Sequence, residues 1–146
     1  MIKVSVKTII GFIVVFLLVY SNSTHAESLT SEQIKQIEEI AQSIASQHNA
    51  NSKAMVDEMT VSSHAVAIGR NVRFEFVLRV KKGLTPSELK EFSEENRKVL
   101  LPKICKNNAN NPAFDRGLSY TFIYINTYGE KLSEFNVDKT TCKFKN

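Results

Sequence analysis

Every second residue from Val72 to Val80 is apolar, and the residues between them are mainly charged. Successive side chains of a β-strand point to opposite faces, so this alternation predicts a strand with one buried face. A strand of this kind has to pair with other strands, and its apolar face has to be covered, usually by helices. The alternation therefore predicts a sheet with a second layer on one side, the basis of a small α+β domain.

The first helix is predicted to begin near Ser31. Thr30 and Gln33 have the spacing of a capping box, in which two side chains bond the free N–H groups at the helix start. The residues that follow recur at the helical period and would form one apolar stripe: Ile34, Ile37, Ile40, Ala41, Ile44 and Ala45.

The second helix has a well-specified start. Thr85 is the expected N-cap, Pro86 takes the first helical position, and Glu88 completes a capping box. Pro102 is expected to kink or restart this helix, which leaves Cys105 in a short final turn. The predicted buried stripe of the helix is Leu89, Phe92, Val99 and Leu100.

Four strands are predicted in two hairpins. The first hairpin joins MTVSSHAVAI to NVRFEFVLRV through Gly69 and Arg70. The second joins SYTFIYI to KLSEFNVD, and Gly129 can supply the positive φ of its turn. The element order is therefore α-β-β-α-β-β. The simplest arrangement is an α+β fold in which a four-stranded antiparallel sheet carries both helices on one face.

The start of the chain has the pattern of a secretory signal peptide. Lys3 and Lys7 precede an apolar run of 13 residues, and small residues follow it up to Ala26. The run is shorter than the roughly 20 residues that span a bilayer. Residues 1–26 are therefore predicted to be a signal and residues 27–146 a single periplasmic or secreted domain. An uncleaved signal segment is the alternative, and it is the one membrane attachment that we expect.

Cys105 and Cys142 are the two cysteines of the chain. An exported protein folds in an oxidising compartment, where two thiols at a compatible distance form a disulfide. No CxxC spacing indicates a redox centre. The pair is therefore predicted to be a structural disulfide.

The charge and the available side chains argue against several function classes. Without Lys3 and Lys7 of the signal, 17 basic residues stand against 15 acidic ones, which is not the strong basic field of a nucleic-acid binder. His48 and His64 have no zinc-like spacing with the cysteines, and the sequence has none of the common catalytic motifs. We therefore expect no enzyme activity, no metal, no cofactor and no nucleic-acid partner.

Three segments resemble known proteins: the helix end LLPKIC, the hairpin GLSYTFIYINTYGEKL and the closing FNVDKTTC. Their strand, turn and cysteine positions, over residues 56–142, resemble small, mostly uncharacterised exported two-cysteine α+β proteins of Gram-negative bacteria. The layout is also similar to small periplasmic accessory proteins of secretion and pilus systems. The lipid-bearing cysteine of secretion pilotins is missing after the predicted cleavage site.

Two functions are consistent with this layout. The first is a non-enzymatic periplasmic module that binds a protein partner, as an accessory factor of a secretion or pilus assembly. The second is a periplasmic inhibitor or immunity protein that blocks an enzyme or toxin. An inhibitor should offer a protruding loop, and the candidate segment is KNNANNPAFDR.

A protein partner or a second copy of the chain is expected to bind the sheet face that the helices leave open. The strand SYTFIYI is apolar on both sides, so covering one side leaves the other as apolar surface. The open side is expected to carry the isoleucines if the aromatic side faces the helices, and the tyrosines if the sheet is turned over. With both orientations included, the predicted partner-binding residues are Arg73, Val77, Arg79, Tyr120, Ile123, Tyr124 and Ile125.

Overall fold

The computed structural model describes residues 28–142, so the expected signal peptide lies outside the described residues. The described elements are α1 (Ser31–Ala50), a 3-10 helix (Ser52–Met55), β1 (Thr60–Ile68), β2 (Asn71–Leu78), α2 (Pro86–Asn108), α3 (Pro112–Asp115), β3 (Ser119–Asn126), β4 (Lys131–Val137) and α4 (Lys139–Cys142). The α+β class and the α-β-β-α-β-β order are confirmed, and short helical turns are added to them.

The four strands form one sheet in the order β1-β2-β3-β4. The two predicted hairpins are antiparallel, as expected. The central strands β2 and β3 are parallel, with Phe74 opposite Phe122, so the expectation of a wholly antiparallel sheet is wrong for this pair. The reason is α2, which connects these strands and returns the chain to the end of the sheet at which β2 began.

Both helices cover the same face of the sheet, as predicted. α1 packs on β1 and β2, whereas α2 packs on β4. His48 of α1 lies edge-on against Phe74, and Phe92 of α2 lies edge-on against Tyr124. The layer beneath is aromatic, because Phe122 stacks between Phe74 and Phe135 with centroid distances of 5.2 and 5.3 Å. Burying each such side chain stabilises the fold by about 1.5–3 kcal/mol.

The start of α2 follows the prediction. The Thr85 hydroxyl accepts the N–H of Glu88, and the Glu88 carboxylate accepts the N–H of Thr85 at 2.8 Å, which completes the capping box. The ammonium of Lys81 donates to the same carboxylate at 2.7 Å. These bonds, first the one from Lys81 and then those from Thr85, lower the pKa of Glu88 to about 2.

The second half of α2 differs from the prediction. The helix continues through Pro102 to Asn108, so it does not restart there, and the expectation of a separate final turn around Cys105 is wrong. A proline removes one backbone hydrogen bond, and the contacts of this half with the core hold the helix together. Val99, expected to be buried, is 53% exposed. Leu89, Phe92 and Leu100 of the predicted stripe do pack against the core. Leu101 and Ile104 pack there as well, so the stripe is longer than predicted.

We expect Thr85→Ala to lower the free energy of unfolding by about 1 kcal/mol, because the N–H of Glu88 loses its acceptor at the helix start. Urea denaturation followed by circular dichroism measures this change. The control is Ser87→Ala, at an exposed position two residues further along the same helix start. It should change the free energy of unfolding by less than about 0.5 kcal/mol. Equal midpoints for Thr85→Ala and the control would contradict the role of the cap.

The predicted disulfide between Cys105 and Cys142 is confirmed, with a Cα–Cα distance of 5.3 Å. It joins the last turns of α2 to α4, which directly follows β4. Both cysteines pack against the hydrophobic core. The bridge therefore fastens the C-terminal end of the described chain to the helix layer.

Candidate functional site

The structure divides the predicted partner-binding residues between the two faces of the sheet. Tyr120 and Tyr124 lie beneath the helices and are 8% and 7% exposed. The alternation along the strands places Ile123 and Ile125 on the opposite face, together with Arg73 and Val77. The aromatic side therefore faces the helices. Arg79 lies beyond the end of β2, where its guanidinium donates to the backbone carbonyls of Asp57 and Glu58.

The open face of the sheet is largely covered by its own polar side chains. Ile123 is only 8% exposed, contrary to expectation, because Glu75 and Glu134 flank it on the neighbouring strands. Glu134 is 2.9 Å from the ammonium of Lys131 and 4.0 Å from the guanidinium of Arg73. The hydrogen bond from Lys131, and then the charges of both cations, hold its pKa below the usual range.

One end of this open face is closed by a polar network. The hydroxyl of Thr121 on β3 donates towards Asn71 on β2 at 3.1 Å and towards Asn136 on β4 at 3.2 Å. The other end is more apolar, since Val77 and Ile125 are direct partners in the parallel pair and are half-buried. The apolar surface that the face offers is therefore smaller than the sequence suggests.

A second apolar surface lies on the helix side, in a groove between α1 and α2. The groove has a volume of about 350 Å³ and an apolar lining. Its lining residues are Ile44 from α1, Phe74 from β2, Ile104, Asn107 and Asn108 from α2, and Tyr120 and Phe122 from β3. Its floor consists of aromatic rings of the two central strands.

The groove exists because the helices cover the outer parts of the sheet. The contact between α1 and β1 is made by small side chains. Ala41 and Ala45 of α1 are 0% and 6% exposed, and Ala65 of β1 is 1% exposed. Small residues let the helix axis come close to this edge strand. Since α2 packs on β4 at the far side, a groove remains between the two helices above the middle of the sheet.

One end of the groove is polar and has fixed hydrogen bonds. The carbonyl oxygen of the Asn108 side chain accepts the hydroxyl of Tyr120 at 3.1 Å, and its amide donates to the backbone carbonyl of Ile104 at 2.8 Å. Asn111 donates to the same oxygen of Asn108 at 2.8 Å. Burial raises the pKa of Tyr120, and the bond with Asn108 partly opposes this shift. The groove therefore combines an apolar floor with a neutral polar end.

The segment proposed as an inhibitory loop is partly built into the core. Within it, Asn111 caps the short helix α3 by accepting the N–H of Ala113 at 3.0 Å. Ala113 and Phe114 are 7% and 0% exposed, whereas Asn110, Asp115 and Arg116 are exposed. The segment is therefore anchored by buried side chains and keeps a polar outer surface.

The groove was not predicted from the sequence. Ile44 appeared in the predicted stripe of the first helix, but only as a core residue. Ile104 was outside the predicted stripe of the second helix, and the asparagines were assigned to a loop. The sequence does contain one signal for the groove. Ile104 lies one helical turn before Asn108, so the two residues share a face of the helix if it continues past Pro102.

The described residues show no other chemical centre. No group of three or more histidine, cysteine or acidic side chains within residues 28–142 is placed to hold a metal ion. None of the helices in this range combines the length and the apolar character that a membrane span requires.

Solved structures share this fold. The type II secretion system pilotin AspS from Vibrio cholerae matches with a TM-score of 0.56 and 21% identity, over 77% of this chain and 97% of that one. The pilotin EpsS of the Vibrio vulnificus type 2 secretion system matches with a TM-score of 0.61 and 17% identity, over 80% and 100%. A Pseudomonas aeruginosa protein described as secreted matches with 0.61 and 12%, over 79% and 100%.

At these identities the likeness shows the fold alone. No protein-family model and no curated protein sequence matches the chain. The class that the structure defines is therefore that of small disulfide-bonded α+β domains with the fold of these secretion pilotins.

Proposed function

We propose that this protein is a non-enzymatic, exported accessory factor of a secretion system, and that it binds an apolar segment of a protein partner in the groove between α1 and α2. The observation that carries the proposal is the aromatic-floored groove on a fold shared with two type II secretion pilotins. Export to the periplasm is part of the proposal, and the predicted signal and the secreted structural neighbour support it.

The chemistry of the groove favours a peptide segment with an apolar face. Apolar binding sites with a few fixed polar groups bind by excluding water from the floor and by orienting the ligand at the polar end. Here Phe74 and Phe122 would contact the apolar side chains, and Asn107 and Asn108 would orient a backbone or polar group. An amphipathic helix laid between two helices is the recognition mode that suits such a groove.

The open sheet face is the second candidate surface, with the half-buried pair Val77 and Ile125 at its apolar end and Arg73 beside it. It would bind a protein partner or a second copy of the chain. Its polar coverage makes it the less favourable surface, because charged side chains would have to be desolvated on binding. Ile125→Glu tests this face separately from the groove.

The test of the groove is Ile104→Glu, compared with Val99→Glu as a matched control. Both substitutions place a carboxylate on the second half of α2, but Ile104 lines the groove whereas Val99 is 53% exposed outside its lining. Purified tagged protein is used to capture partners from an envelope extract of the cells that produce it, and the captured proteins are quantified by mass spectrometry. We expect wild type and Val99→Glu to capture the same secretion-system component.

Ile104→Glu should reduce that capture by about tenfold or more. An apolar segment that enters the groove would have to strip water from the new carboxylate, and the lining offers no positive charge to compensate for this cost. Its circular dichroism spectrum should remain that of the wild type. Undiminished capture by folded Ile104→Glu would exclude the groove, and loss of capture in Ile125→Glu alone would assign binding to the open face. Capture of proteins unrelated to secretion by all variants would contradict the proposed function.

A further inference from the structure

The charges of α2 are divided between its two halves. Residues 86–96 carry four glutamates and one lysine, whereas residues 97–108 carry four basic residues and no acidic one. The four basic residues are Arg97, Lys98, Lys103 and Lys106, and all of them are exposed. The chain as a whole is nearly balanced in charge, so the second half of α2 is a local basic surface.

Contacts within the domain do not account for this surface. Cations stabilise the dipole of a helix only in its last turn, and Arg97 and Lys98 lie more than two turns before the helix end. Lys98 lies 4.0 Å from Glu95, in an exposed pair that contributes little. The other three cations form no ion pair with a carboxylate of residues 28–142. Their charges therefore remain available to an external partner.

Two apolar side chains lie among these cations on the outward side of the helix. Val99 is 53% exposed, and Pro102 is exposed as well. Lys103 and Lys106 follow them at steps of three and four residues, so the four side chains share one side of α2. We call these four residues, with Arg97 and Lys98 beside them, the basic face.

The surroundings of the basic face have the same mixed character. Leu101 and Pro102 supply the apolar surface of a shallow depression, which is also lined by Glu94 and the two flanking cations. The disulfide places Cys142 next to Cys105, with a Cα–Cα distance of 5.3 Å, so the chain that follows Cys142 begins beside this half of α2. Its sequence, KFKN, adds two lysines and a phenylalanine.

We infer that the basic face of α2 binds the surface of a membrane that contains anionic phospholipids. Each lysine or arginine close to such a surface strengthens binding by roughly fivefold. The apolar side chains at the centre of the face would enter the boundary between headgroups and acyl chains, while the lysine ammonium groups stay at the level of the phosphates. Contact of this kind needs no membrane-spanning helix. The inference does not depend on the proposed function.

An acidic protein is the other partner that such a charge could attract. Protein partners are usually held by side chains that fill well-packed pockets. The depression beside the basic face is shallow, and the lysines around it are long and unpaired. A fluid array of phosphates requires no fixed geometry, so the membrane is the partner that fits this surface better.

The experiment measures the binding of the purified protein to lipid vesicles by flotation. The vesicles contain either phosphatidylcholine alone or phosphatidylcholine with about one-third phosphatidylglycerol, which is anionic. We expect binding to the anionic vesicles to be at least about tenfold stronger than binding to the neutral ones. This difference should disappear at about 0.5 M salt, because salt screens the charges of the phosphates.

A pair of substitutions assigns the binding to the basic face. Lys103→Gln combined with Lys106→Gln should weaken binding to the anionic vesicles by about tenfold or more, with a native circular dichroism spectrum. The matched control, Lys35→Gln combined with Lys90→Gln, removes the same charge from exposed lysines elsewhere and should weaken binding by less than about threefold. A retained signal segment would be common to all variants and would not change this comparison.

Val99→Glu tests the apolar part of the face. It should weaken binding to the anionic vesicles by about fivefold or more, because the carboxylate is repelled by the phosphates and cannot enter the apolar boundary. The substitution leaves the groove lining intact, so capture of a secretion component should persist and the two proposals can fail separately.

Three results would overturn the inference: equal binding of the wild type to neutral and anionic vesicles, equal losses in the two lysine pairs, and full binding by Val99→Glu. Salt-sensitive capture of an acidic protein without any binding to vesicles would also overturn it, and would assign the basic face to a protein partner.

Discussion

Cys105→Ser lowers the free energy of unfolding by about 3–4 kcal/mol, because the bridge no longer restricts the unfolded chain across a sequence separation of 37 residues. For a domain of this size, the melting temperature should fall by roughly 10 °C or more. Differential scanning calorimetry of the purified, oxidised protein measures the change. The bridge closes the packing between α2 and the end of the last strand, so its loss should weaken this contact in particular.

Cys142→Ser is the matched control for this result, because it removes the same bond from the other side. The double variant, which has no free thiol, should be about as stable as either single variant. Treating the wild type with a reducing agent should give a similar melting temperature. A change of less than about 2 °C in all of these samples would show that the bridge is not a major source of stability.

Phe114→Ala should lower the free energy of unfolding by about 3–5 kcal/mol, the cost of a large cavity in a core. Phe114 is completely buried, and its ring stacks on Tyr120 with a centroid distance of 5.8 Å. Urea denaturation followed by tyrosine fluorescence or circular dichroism measures the loss. The same variant should also loosen the polar end of the groove, since Tyr120 holds Asn108 there.

The control for Phe114→Ala is Tyr128→Ala, another aromatic truncation, at a position that is 64% exposed in the turn between β3 and β4. It should change stability by less than about 0.5 kcal/mol. Similar losses in the two variants would mean that the segment around Phe114 is not part of the core. That outcome would return this segment to the role of a free connecting loop, as the sequence suggested.

The helix starts and the strand alternation could be read from the sequence because both depend on residues close together in the chain. The two capping boxes formed as their spacing predicted. Gly129 has the predicted positive φ of 79°. The α3 turn shows the limit of this reasoning, because its asparagines and Pro112 have the composition of a loop. The burial of Phe114 depends on contacts beyond the turn, among them the stacking of its ring on Tyr120.

The parallel pairing of β2 and β3 follows from the helix that connects them. Two strands joined through a helix can lie side by side in parallel, and the order β2-α2-β3 is such a unit. Considering each hairpin alone predicted the outer pairs correctly but gave the central pair the wrong direction. Their relation depends on how α2 crosses the sheet, which no local pattern records.

The amino-acid sequence by itself determined the α+β class, the element order and the disulfide, because caps, alternation and a single pair of cysteines act locally or admit one pairing. The tertiary structure decided which face of β3 is covered, where the helices leave a groove, and that Asn49 reaches Ala65, 16 residues further along the chain. These features depend on the distances between packed elements, which are set by the summed contacts of many distant residues.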